Sequence, residues 1–181
     1  EGLYLLVLRK ASAVLDLHPD SKYVDDSLLL IGKAFYWREE YSEALTKFEE
    51  LQDNFPNSPL IEESVFWQGL SLWALDQVDE ARFALYAIKE ESEFFQQAQL
   101  SLADLEVVEE NFQGAIEAYE SVLQRFGNDR KVRAQAWQGI GMGYLRLENY
   151  DKALEAYQNV LDAKPDMQVE YETRIHMGTA M

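Results

Sequence analysis

Apolar residues recur at helical spacing along nearly the whole chain, and the stretch Ser27 to Pro56 shows the pattern most plainly. There Leu28, Ile31, Gly32 and Phe35 fall on one helical face. After a polar break at Arg38, Glu39 and Glu40, so do Ala44, Phe48 and Leu51, and Pro56 ends the run. This predicts a helical hairpin. The same hairpin is written four times, because a small residue precedes an alanine by 12 in each case: Gly32 and Ala44, Gly69 and Ala81, Ala103 and Ala115, Gly141 and Ala153. Three residues before each alanine stands Tyr41, Val78, Phe112 or Tyr150, and four after it Phe48, Leu85, Tyr119 or Tyr157. Two antiparallel helices cross closely only where neither carries bulk at the contact, which accounts for the small rows, and the large residues fill the flanking gaps.

These rows resemble the tetratricopeptide repeat, W-x2-L-G-x2-Y…A-x3-F…P over about 34 residues. Trp137, Ile140, Gly141, Tyr144, Ala153, Tyr157 and Pro165 stand at the signature's positions in the fourth unit. Leu28, Ile31, Gly32, Phe35, Ala44, Phe48 and Pro56 do so in the first. The second and third units are degenerate: Gln68, Gln99 and Glu106 take apolar places, and the first helix of the third unit is expected to be rotated or shifted. The resemblance implies an all-α fold, an α-solenoid of about ten helices wound as a right-handed superhelix. One solenoid over 1–181 is expected, with repeats at 22–56, 59–91, 93–127 and 130–165. A half-repeat at 1–19 supplies only a second helix, since VLDLHPD there lines up with VLDAKPD of the fourth unit. Another at 168–181 supplies only a first helix, and the chain reads as an excerpt of a longer protein.

Spacing varies between hairpins, not within them. The distance from each alanine to the next small residue is 25, 22, 26 and 25, so the added length lies in FPNSPLIEE, FGNDRKVRA and KPDMQVEY, with HPDSKYVDD belonging to the same class. In the proline-containing joints the ring stops the second helix, and in HPDS and FPNS Ser21 and Ser58 stand in position to cap the next one. That turn style is similar to the repeats of bacterial envelope proteins, the outer-membrane assembly lipoprotein (BamD) and the Tol-Pal coordinator. The similarity implies the periplasm or the outer-membrane periphery, with a cytoplasmic location as the alternative.

Composition narrows the chemistry. The 181 residues are 48% hydrophobic and 13% aromatic, ample for a core, and carry a formal charge of −17. That sign disfavours nucleic acid and anionic lipid surfaces as partners. With no cysteine there is neither a disulfide nor thiol chemistry. The two histidines, His18 and His176, lie several hairpins apart, too far to share a metal or a reaction, and the abundant carboxylates read as solvated faces. Gly139 to Gly143 lies inside a helix and lacks the strand that a phosphate loop must follow. No enzyme, cofactor or metal is therefore expected.

The surface of the solenoid remains. In this family the first helices line the concave side, and the positions three before and one, four and five after the glycine row face the groove. Those positions hold Leu29, Lys33, Tyr36, Trp37, Phe66, Leu70 and Trp73, then Leu100, Asp104 and Val107, then Gln138, Met142, Leu145 and Arg146. The alternative for Tyr36 and Trp73 is packing between adjacent first helices. The Lys and Asn clamp by which the chaperone-binding subfamily holds a terminal carboxylate is absent, since Leu29 and Lys33 stand at two of its places. One basic cluster, Arg125, Arg130, Lys131 and Arg133, reads either as local pairing with acids or as a docking point for an acidic segment. The reading that follows is a non-catalytic scaffold or adaptor for other proteins or peptide segments in a bacterial envelope complex. Its alternative is a structural subunit that self-assembles by stacking its terminal helices.

Overall fold

A computed structural model describes residues 2–180, and among them it contains ten helices and no strand. They are α1 (Gly2–Leu17), α2 (Val24–Tyr36), α3 (Tyr41–Asn54), α4 (Ile61–Ala74), α5 (Val78–Tyr86), α6 (Phe95–Val108), α7 (Phe112–Phe126), α8 (Arg130–Arg146), α9 (Tyr150–Asp162) and α10 (Met167–Thr179). The chain divides into two compact units, 1–95 and 96–181. Among the described residues no helix is long and apolar enough to cross a membrane.

All four hairpin turns close in one way. Glu39, Asp76, Glu110 and Glu148 adopt positive φ, between 57° and 64°. The next N–H, from Glu40, Gln77, Asn111 or Asn149, then donates to the carbonyl five residues back, on Phe35, Leu72, Glu106 or Tyr144, at 2.9–3.0 Å. This left-handed stop satisfies carbonyls that the ending helix leaves open. In the second unit the following helices also carry side-chain caps: Asn111 accepts from Gly114 N–H, and Asn149 from Lys152 N–H.

The joints before α2, α4 and α6 share one form that the sequence only hinted at, whereas α8 and α10 are capped by the side chains of Asp129 and Asp166. Ser21, Ser58 and Ser92 each accept, through the hydroxyl, the N–H two residues on, from Tyr23, Leu60 and Phe94 at 3.2–3.3 Å. Helices α2 and α4 begin later, at Val24 and Ile61, with Tyr23 and Leu60 at the capping position and no side-chain cap. The expectation that Ser21 and Ser58 cap those helices is thus corrected. Their hydroxyls close the turn before the helix, and Ser58 also donates to Asp25 Oδ2 at 2.7 Å, tying one joint to the next.

In unit 1–95 the core gathers Leu28, Leu29, Ala44, Phe48 and Leu51. The close approach at Gly32 is against a ring: a β-carbon there would sit 2.5 Å from Phe48. In unit 96–181 the main core holds Leu100, Ala103, Ala115, Ile116, Tyr119, Val122, Val132, Ala136, Ile140 and Ala156. There Gly141 faces Tyr157 in the same manner, again at 2.5 Å. The glycine row thus makes room for the large residue four places after the alanine. The third hairpin keeps the common register: Ala103 and Ala115, both fully buried, lie in one core, so the expected rotation of its first helix does not occur.

Candidate protein-binding surface

The most elaborate surface lies in unit 1–95, where α2 ends and the turn to α3 begins. Tyr36 stands edge-on to three rings, Trp37 at 5.5 Å, Tyr41 at 5.4 Å and Trp67 at 5.1 Å, and Trp37 meets Trp67 at 5.7 Å. Edge-to-face pairs of this spacing are favourable beyond their buried area. Burial raises the Tyr36 hydroxyl above its usual range, with Tyr41 adding to it. Beneath the rings, Lys33 Nζ reaches Glu63 Oε1 at 2.6 Å and lies 5.3 Å from the Trp67 ring, while Trp67 Nε1 donates to the same carboxylate oxygen at 3.3 Å. Lys33, placed in the groove by its row, is paired with Glu63 across α2 and α4.

The residues placed in the groove divide accordingly. Trp37 is 54% exposed, and Tyr36, Leu70 and Trp73 are half-buried. Leu29 and Phe66 are corrected: they are 6% and 8% exposed, Leu29 in the core and Phe66 stacked on Phe94 at 5.5 Å. Phe66 is buried because the α5–α6 joint folds Phe94 onto it, a contact that no helical pattern encodes. Trp67 and Tyr41 complete the ring cluster but fall outside the rows that the repeat assigns to the groove. The one local signal was Glu63, a turn before Trp67 on α4.

In unit 96–181, Leu100 is buried and Asp104 is hydrogen-bonded to the Tyr119 hydroxyl. Burial raises the Asp104 carboxyl above its usual range against the lowering effect of that bond, and burial with the adjacent carboxylate raises Tyr119. Val107, Gln138, Met142 and Leu145 are half-buried, and Arg146 is exposed with its guanidinium 5.6 Å from the Phe112 ring. Among the described residues no ring cluster comparable to that of Tyr36, Trp37 and Trp67 joins them. Of the basic residues, Arg133 donates to the Gly127 carbonyl at 2.9 Å and Arg125 lies 5.3 Å from Phe126, while Arg130 and Lys131 are exposed. His18 lies exposed just after α1, and His176 stacks on Tyr157 at 5.7 Å. Tyr157, fully buried and with its hydroxyl unpartnered among the described residues, is pushed up to about 12 by burial.

Comparison with known proteins agrees with this geometry. Models of the tetratricopeptide repeat match residues 26–58 and 100–168. The chain therefore carries tetratricopeptide repeats, modules that generally mediate protein–protein interaction. No curated protein is similar enough to match. Among solved structures, MamA is 20% identical with a TM-score of 0.68, covering 87% of this chain and 86% of its own. YrrB, described as a tetratricopeptide-repeat protein with an unusual peptide-binding site, is 20% identical with a TM-score of 0.67, covering 96% and 84%. A tetratricopeptide-repeat protein from Parabacteroides merdae is 15% identical with a TM-score of 0.77, covering 99% and 68%. At these identities the likeness concerns the fold.

Proposed function

We propose that this chain is a non-catalytic adaptor that holds a segment of another protein against the aromatic surface of unit 1–95. The observation that carries the reading is Trp37, a large ring more than half exposed and fixed edge-on by Tyr36 and Trp67. A ring held rigid before binding loses little freedom on contact, and aromatic anchors of this kind dominate interface energetics. Tetratricopeptide repeats and the peptide site named for YrrB support the class of partner. The joints HPDSK and FPNSP support a place in a bacterial envelope complex, at the periplasmic or outer-membrane periphery. Capture of partners from a native extract by Trp37→Ala and Trp73→Ala, beside thermal melts of both, tests the surface. A folded Trp37→Ala that loses a partner supports it, and one that retains every partner sinks it.

A second reading draws on exposed apolar residues elsewhere, Leu3, Leu5 and Leu6 on α1 and Met167, Tyr171 and Ile175 on α10. In it the chain is a structural subunit that stacks on copies of itself. Mass in solution decides: growth with concentration favours stacking, and a monomer at every concentration removes it.

A further inference from the structure

Beside Trp37 lies a half-open cleft of 630 Å³, lined by Tyr4 and Leu5 of α1 and by Trp37, Arg38 and Glu39 of the turn after α2. We propose that this cleft receives a lysine or arginine side chain of the bound segment, its cation against the Trp37 and Tyr4 rings and its charge met by Glu39. The inference rests on the segment-binding reading above and names the chemistry of the segment.

Three observations select a cation. First, the positive charge lining the cleft is already committed, since Arg38 donates to Glu40 Oε1 from Nε at 2.8 Å and from Nη2 at 2.5 Å. Glu39 is exposed, its N–H donates to the Tyr36 carbonyl at 2.9 Å, and its carboxylate has no hydrogen bond or ion pair among the described residues. The net local charge is therefore negative. Second, an indole face is the strongest of the side-chain π-surfaces for a cation, and the edge-on neighbours of Trp37 leave more than half of it open. Third, residues 1–95 hold nineteen acidic and eight basic side chains, so the field of this unit draws cationic segments toward it. Two further clefts along α1 are unsuited to a cation. One is lined by Arg9, and the other by Lys10 among Leu6, Val7, Ala11, Val14 and Leu30.

The test uses the whole chain with nitrogen-15 label and a short peptide of alternating glycine and lysine, its fully Nε-acetylated form, and a glycine–glutamate peptide. The Trp37 indole N–H resonance, assigned with Trp37→Phe, should shift saturably with the lysine peptide alone. Affinity should fall about fivefold in Glu39→Gln, a change that keeps size and leaves the melting temperature in place, and at least as far in Trp37→Ala. Added salt should weaken it further. Equal binding of the acetylated peptide, or undiminished affinity in Glu39→Gln, overturns the proposal. Should the lysine peptide move only the indoles of Trp67 and Trp73, a segment still binds this unit and the cleft assignment alone falls. If no peptide moves any indole while Trp37→Ala still loses its captured partner, the adaptor reading stands and the cationic chemistry is wrong.

Discussion

The joint between α3 and α4 and the joint between α7 and α8 set equivalent positions of the repeat to opposite uses. At α3–α4 these are Gln52, Ser64 and Gln68. The buried Ser64 hydroxyl lies 3.1 Å from the Phe48 carbonyl, and Gln52 Nε2 donates to Ser64 Oγ and to Gln68 Oε1, each at 3.1 Å. At α7–α8 the same rows hold Leu123, Ala136 and Ile140, packed in an apolar core with Ala136 and Ile140 buried. The helices there approach through glycine as well, since a β-carbon at Gly143 would meet Ile116 at 2.7 Å. One seam is held by direction and the other by shape. A polar seam is tolerated only while every member is bonded, so its members should behave as a unit, whereas an apolar seam should fail one residue at a time.

The largest expected effect breaks the apolar seam. Ile140→Gln alone places an amide where no partner stands, and should cost about 3 kcal/mol in lost burial and desolvation. A denaturant melt showing under a third of that would mean that the α7–α8 seam admits water. Next comes the polar seam. Ser64→Ala or Gln68→Ile singly should cost about 1–2 kcal/mol, because each leaves Gln52 underbonded. The triple change Gln52→Leu, Ser64→Ala, Gln68→Ile, which copies the other seam, should recover most of that loss. Additive losses in the triple variant would show that the hydrogen bonds do not act together.

That trio also marks where reading the sequence stops. The hairpins were legible because a helix writes its buried face at spacings of three and four, and because the small rows recur at a constant distance within each pair. Gln68 stood out only as a polar residue at an apolar place. Its reason lies on another helix, at Gln52, and no spacing within one helix reveals it. The ring cluster was half legible for a like cause. Tyr36 and Trp37 lie on rows that the repeat assigns to the groove, but Trp67 joins them from α4 through Glu63 and Lys33, and Phe66 leaves them because Phe94 covers it. Contacts between neighbouring hairpins depend on joint geometry, and the joints are the segments whose length varies.

A third expectation concerns a polar contact inside the second unit. Asp104 is held above its ordinary range by burial, so the folded chain binds its proton more tightly than the unfolded one. The stability this contributes is present below the ordinary carboxylate pKa and declines as pH rises through the raised value. Asp104→Asn can still accept the Tyr119 hydroxyl bond but cannot titrate. Thermal melts from acid to neutral pH should therefore show a descending component in the parent that the variant lacks. A parent curve that rises through this window in step with the variant would remove Asp104 as its source.

The smallest effect tests whether the two units share anything beneath their different seams. Asp76 in the first unit and Glu110 in the second stop their helices at positive φ, 62° and 59°, each followed by the same backbone bond to a carbonyl five residues back. A side chain with a β-carbon is strained in that conformation, and glycine is not. Glycine also gains freedom in the unfolded chain, which offsets part of the relief. The net gain from Asp76→Gly or Glu110→Gly should be about 0.5 kcal/mol. The two gains should agree, because turn strain depends on local backbone and not on what the seam beyond is made of. Denaturant midpoints of the two variants and of their double mutant measure this directly. A gain at Asp76 with a loss at Glu110 would mean that one acidic side chain does something for its turn beyond occupying it, and the Asn111 amide, which donates to Glu106 Oε2 at 2.6 Å beside Glu110, is where that difference would be sought.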